Sequence, residues 1–140
     1  MESINQLLDI DNLTTETEAI VVASGTTAGL QEVSHTFRND YDECIGILLC
    51  ESGNLTGISG SSLDYLLGLK SVKTGEVLID QAHKDVFKVN NATPADRRFV
   101  PCAIRTQGQT VTIQINVQAT LNEDLNAWVT FLVRKTKQTN

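Results

Sequence analysis

The stretch that most constrains this 140-residue chain runs from Gln109 to Arg134. Val111, Ile113, Ile115, Val117 and Ala119 alternate without exception with Thr110, Thr112, Gln114, Asn116, Gln118 and Thr120. After a polar break from Asn122 to Asn126, a second alternation follows. Val129, Phe131 and Val133 hold one parity; Trp128, Thr130, Leu132 and Arg134 hold the other. A period of two sends successive side chains to opposite faces of a strand, so each run has one buried and one solvated face. Two such runs joined by a short polar loop predict an antiparallel pair.

The remaining chain is read against that pair. Glu18 to Ala23 predicts a strand, and Gln31 to Arg38 predicts another, with Val33, His35 and Phe37 facing inward. Glu43 to Glu51 is nearly all apolar, which predicts a central strand covered on both faces. Residues 55–72 fit strand or helix. The turn Lys73-Thr74-Gly75-Glu76 before Val77-Leu78-Ile79 favours a strand over at least Leu66 to Val72, with Gly68 as a bulge. Val86 to Val89 predicts a further short run. Pro101 cannot donate to a ladder and belongs on an edge or at a bulge. Eight to ten short strands without a long helix predict an all-β, single-domain antiparallel β-sandwich over residues 18–140. A jelly roll is the first expectation and an immunoglobulin-like sandwich the alternative. Residues 1–17 form a short N-terminal arm. Ser3 suits the cap of a predicted one or two helical turns, with Ile4, Leu7 and Leu8 on one side, too short to stand alone in water. The arm therefore lies on its own domain or reaches a neighbour.

A net charge of −6 argues against a nucleic-acid surface, which wants a basic stripe. The charge is split: residues 1–51 hold ten acids and one base, residues 52–140 seven acids and ten bases. Such a split allows head-to-tail complementarity between copies. No apolar run approaches a membrane span and no signal peptide opens the chain, which predicts reduced thiols at Cys44, Cys50 and Cys102. Cys44 and Cys50 read as core residues, too far apart on one strand to bridge each other; Cys102 can pair with either across a sheet. His35 reads as a core or interface histidine. Asp80, His83 and Asp85 are the one loose trio that could gather a cation, and no metal is assigned to it. No nucleophile–base set, phosphate loop or dinucleotide fingerprint is present, so no catalytic residue and no cofactor is assigned.

Particular segments then carry a likeness. Asp40-Tyr41-Asp42-Glu43-Cys44-Ile45-Gly46-Ile47 is a turn before a covered strand, and Lys73-Thr74-Gly75-Glu76 a hairpin. Phe99-Val100-Pro101-Cys102-Ala103-Ile104, Gly108-Gln109-Thr110-Val111-Thr112-Ile113 and Ala127-Trp128-Val129-Thr130-Phe131-Leu132-Val133 follow. In this order and texture residues 31–135 resemble small single jelly-roll proteins of bacteriophage particles, found at capsid vertices, on capsid surfaces or in fibre and spike bases. The resemblance implies a non-enzymatic virion structural protein, assembled in the host cytoplasm. It would self-associate as a homo-oligomer and dock on other capsid or tail proteins, with no nucleic acid and no membrane as partner. Ile4, Leu7 and Leu8 of the arm, with Trp128 and Leu132, are the expected interface residues. The alternative is a sandwich module binding carbohydrate or another small ligand, with Trp128, Tyr41 and Tyr65 as the available aromatics.

Overall fold

The computed structural model describes residues 13–51, 64–87, 99–121 and 124–135. Among them are eight strands and one 3-10 turn: β1 (Leu13–Val22), β2 (Gly29–Thr36), β3 (Glu43–Glu51), β4 (Tyr65–Ser71), β5 (Val77–His83), the turn Lys84–Phe87, β6 (Val100–Arg105), β7 (Thr110–Val117) and β8 (Leu125–Arg134). They form two four-stranded sheets, ordered β1-β8-β3-β6 and β2-β7-β4-β5. The pairs β1–β8, β2–β7, β3–β6 and β4–β5 are all antiparallel. They are the rungs of one long hairpin with its tip between β4 and β5, rolled so that alternate rungs fall in opposite sheets. That is the jelly-roll topology, and it excludes the immunoglobulin alternative.

Local chemistry sets the tip. Gly75 sits at φ +76°, a conformation that costs glycine little, and its N–H donates to the Ser71 carbonyl at 2.9 Å. The Leu66-to-Val72 segment is strand, as the turn implied, and the β4–β5 register shifts around Gly68. Pro101 lies on β6, an edge strand, at a register shift.

The expected pairing of the two alternating runs is overturned. β7 and β8 lie in different sheets and face each other across the core. Their link, residues 118–124, is long enough to cross the roughly 10 Å between packed sheets. Leu121 is buried in that link and ties it to the β1–β2 crossing: Gly25 N–H donates to the Leu121 carbonyl at 2.8 Å and Leu121 N–H to Thr26 at 2.9 Å. Face-to-face packing lets Val111, Ile113, Ile115 and Val117 bury against Val129, Phe131 and Val133. Each such side chain contributes about 1.5–3 kcal/mol by leaving water.

Three further expectations change. Residues 13–17, placed in the arm, belong to β1 and pair with β8 from Leu13 opposite Arg134 onward; residues 1–12 lie outside the described residues. Val86 and Phe87 belong to the 3-10 turn and not to a strand. β3 is central, between β8 and β6, but its outer face is open: Cys50 is exposed and Leu48 half-buried. The cause is a bulge. Between Cys44 and Gly46 the register with β8 gains one residue on β3, so inward parity switches from Cys44 to Ile47, Leu49 and Glu51. Cys50, expected in the core, is turned out by that one residue.

Candidate functional site

The two outer faces of the sandwich differ in chemistry. On the β2-β7-β4-β5 sheet, the row Thr110, Thr112, Gln114, Asn116 is dressed by its neighbours. Thr36 and Thr110 hydroxyls bond at 2.8 Å, Asn116 donates to Gln81 at 3.0 Å, and Lys70 approaches Glu32 at 3.9 Å. Thr112 and Gln114 are buried there. This face is mostly polar and partly covered by its own side chains, with Leu30 and Val77 exposed toward its margins.

The outer face of the other sheet is open and uncharged, with apolar side chains on either side of the hydrogen-bonded Thr17–Thr130 pair. On β1, Thr15, Thr17, Ala19 and Val21 stand opposite Leu132, Thr130, Trp128 and Asn126 of β8. Leu48 and Cys50 of β3 extend the rows past Thr130 and Trp128, and exposed Pro101 and Ala103 of β6 complete them. Phe99 packs over Gly46, so closely that a methyl there would meet its Cβ at 2.7 Å. Val21 is 70% exposed and Trp128 38%. On this face the outward rows Thr15, Thr17, Ala19, Val21 and Asn126, Trp128, Thr130, Leu132 carry no charged side chain, while Glu16 and Glu18 of β1 turn to the other side. Charges gather at one end, where Arg134 Nε donates to Glu43 at 2.8 Å. Trp128 and Leu132 therefore share a face, on the opposite side of the molecule from the Thr110–Asn116 row, and neither is in the core. Ile4, Leu7 and Leu8 lie outside the described residues.

Two polar clusters reach into the interior, one part-buried and one fully buried, and the acids of neither stand out in the sequence. In the first, His35 of β2 reaches across to β1: Nε2 lies 3.0 Å from Glu16 and Nδ1 3.0 Å from Glu18. The ring stacks on Phe131, with centroids 5.0 Å apart, and Phe37 meets it edge-on at 4.8 Å. A neutral imidazole has one N–H, so both contacts are hydrogen bonds only if the ring carries two protons or one carboxyl carries one. The cluster pins β1 to β2 where the two sheets meet. His35 is thus the satisfied inward histidine that its parity implied. The signal for Glu16 and Glu18 was their own alternation with threonines.

In the second cluster, Glu51 at the end of β3 accepts a hydrogen bond from the Tyr65 hydroxyl at 2.7 Å, and Lys84 Nζ lies 3.4 Å from the same oxygen. Lys84 also sits over the Tyr65 ring, 5.3 Å from its centroid. All three are buried. Burial, then the Glu51 charge and hydrogen bond, push the Tyr65 phenol well above its ordinary range. A raised folded value means stability that is complete below pH 10 and falls as pH rises past it, because only the unfolded phenol then releases its proton. The expected slope above pH 10 is about 1.4 kcal/mol per pH unit, and a Tyr65→Phe chain loses that share of it. Urea titrations of both chains from pH 8 to 11 measure the difference; equal slopes would contradict it.

Some of the charge split closes within one copy. Glu51 with Lys84, Glu43 with Arg134 and Glu32 with Lys70 each join an acid of the first part to a base of the second. His83 ends β5, bonded to Asp64 at 3.0 Å with Asp85 at 3.6 Å; Asp80 is not among these neighbours. No group of three metal-ligating side chains is found among the described residues. A shallow cleft of about 440 Å³ lies between the turns Val72-Lys73-Thr74 and Gln107-Gly108-Gln109. No helix of the described residues is long and apolar enough to cross a membrane.

Comparison with known proteins finds no match to a family model, to a curated protein or to a solved structure.

Proposed function

We propose that this protein is a structural component of a bacteriophage particle. In this reading it is a jelly-roll block that associates with copies of itself and with other virion proteins through the outer face of the β1-β8-β3-β6 sheet. The observation that carries the reading is that face: Val21, Ala19, Trp128, Leu132, Leu48 and Cys50 form one uncharged surface. A contiguous apolar surface rimmed by polar groups marks an interaction site. A second copy is the first occupant. A face without charge can lie on its own two-fold mate with no like charges opposed. The jelly-roll order and the segment-level likeness of residues 31–135 to phage particle proteins support the virion setting.

Sedimentation velocity of the full chain over a wide concentration range tests the association. The wild type should sediment faster as concentration rises. Val21→Lys should weaken association tenfold or more, about 1.4 kcal/mol, because a two-fold contact brings each lysine onto an apolar surface. Val21 is 70% exposed, so its replacement leaves folding stability within about 0.5 kcal/mol. A wild type that stays monomeric throughout would overturn the reading. For the virion setting, peptide mapping of gradient-purified particles from the source lysate should find the chain at a fixed ratio to the shell protein. Its confinement to the soluble fraction would contradict that setting.

A carbohydrate site is the second reading, and the exposed indole of Trp128 beside Asn126 and Thr130 favours it. Trp128 is the chain's one tryptophan, so its fluorescence reports glycan binding directly.

A further inference from the structure

The cysteines are left unexplained by an assembly role. Cys44 and Cys102 are free thiols on neighbouring strands with Sγ atoms 3.6 Å apart. Cys44 Sγ also lies 3.3 Å from the Gly46 carbonyl, and Cys102 Sγ lies 3.6 Å from the Cys44 carbonyl. The register explains the encounter. Cys44 is opposite Ile104 and Gly46 opposite Pro101, so β6 spends one more residue than β3 over this interval. Cys102 falls within that irregularity and faces inward beside Cys44. Cys50 is on the outer face of the same sheet and cannot join them.

We propose that Cys44 and Cys102 are a built disulfide site, closed by exchange with a low-molecular-weight disulfide such as glutathione disulfide. The bond would staple the edge strand β6 to β3. Accessibility divides the labour: Cys44 is fully buried and Cys102 only partly. The hydrogen bond from Cys44 favours the Cys102 thiolate, while that same bond and burial hold the Cys44 proton on. Cys102 therefore attacks first. Its thiolate forms a bond to one glutathione sulfur, the glutathione S–S bond breaks, and one glutathione thiolate leaves. Cys44 then gives up its proton and attacks Cys102 Sγ, forming the protein disulfide and expelling the second glutathione thiolate. Two protein thiols are oxidised, one glutathione disulfide is reduced to two glutathiones, and the two released protons end on them. A disulfide has its sulfurs about 2.05 Å apart, so the pair must still close by about 1.5 Å. Among the described residues β6 has a strand on one side only, and it can supply that movement.

Incubating the native full-length chain with glutathione disulfide, followed by acid quench, intact mass and a non-reducing peptide map, tests this. The expected product has lost about 2 Da at one Cys44–Cys102 link, with any glutathione adduct confined to Cys50. Its melting temperature should rise by about 5–10 °C, because the bond closes a long loop in the unfolded chain. Cys44→Ser should stall with glutathione on Cys102, whereas Cys102→Ser should leave Cys44 unmodified. If either variant fails to fold, the wild-type map still decides. Both thiols remaining free while Cys50 reacts, a Cys50–Cys102 link, or a Cys44–Cys102 link that forms only in denaturant would each overturn the proposal.

Discussion

Replacing Glu51 by glutamine should cost about 3–5 kcal/mol of folding stability, the largest single effect expected of any polar side chain here. The amide nearly preserves shape but removes the charge facing Lys84, whose Nζ lies 3.4 Å from Glu51 and whose side chain is almost fully buried. The ammonium would lose the carboxylate charge 3.4 Å away, in an interior where a buried charge is costly to support. Lys84→Met should cost a similar amount, since it removes the ammonium 3.4 Å from the buried carboxylate. The double change Glu51→Gln with Lys84→Met should recover much of the loss, because both charges of the pair are then removed together. Guanidinium unfolding of the four chains provides the cycle. A single-variant loss below 1 kcal/mol would mean that the pair is not buried in solution as described.

His35→Ala should cost about 3–4 kcal/mol. It removes the ring packed between Phe37 and Phe131 and leaves Glu16 and Glu18 facing the space that ring filled. His35→Phe separates the two contributions. It restores the packing but not the hydrogen bonds, so it should cost about 2 kcal/mol, most of it from the more buried carboxylate of Glu16. Amide exchange should place the loss locally, with β1 exchanging faster in both variants. Because β1 is, among the described residues, an edge strand paired in its sheet with β8 alone, it is the first element that a broken β1–β2 clamp would release.

The strand inventory was legible because period two is hard to produce by chance over Val111 to Val117, and because Gly75 and Pro101 each suit few backbone settings. What period two cannot carry is partnership. The Val111 and Val129 rows are equally satisfied side by side or face to face, and only the length of the link and buried Leu121 favour the crossing. Parity itself failed where a bulge intervened: one extra residue near Ile45 put Cys44 inside and Cys50 outside, although an unbroken strand gives them the same face. The acids were obscured by the opposite expectation. Thr-Glu-Thr-Glu reads as a solvated arm, yet Glu16 and Glu18 take the inward positions because His35 arrives from the other sheet to meet them. Glu51 carried a signal in its alternation with Ile47 and Leu49. Its partner Lys84 could not be inferred from spacing, since the two meet only through the tertiary fold. The face of Trp128 and Leu132 was legible as a shared side of one strand; its openness followed only once β1, β3 and β6 were placed around it.

The proposed role requires that face to be covered in solution, and the chain's one tryptophan sits on it. The most direct measurement is the emission maximum and iodide quenching of Trp128 in the full-length chain, followed from high concentration down to extreme dilution. Association through this face predicts a blue-shifted, quencher-protected indole at high concentration. On dilution it should become red-shifted and accessible, along the same midpoint as sedimentation. An indole equally exposed at every concentration would contradict the claim.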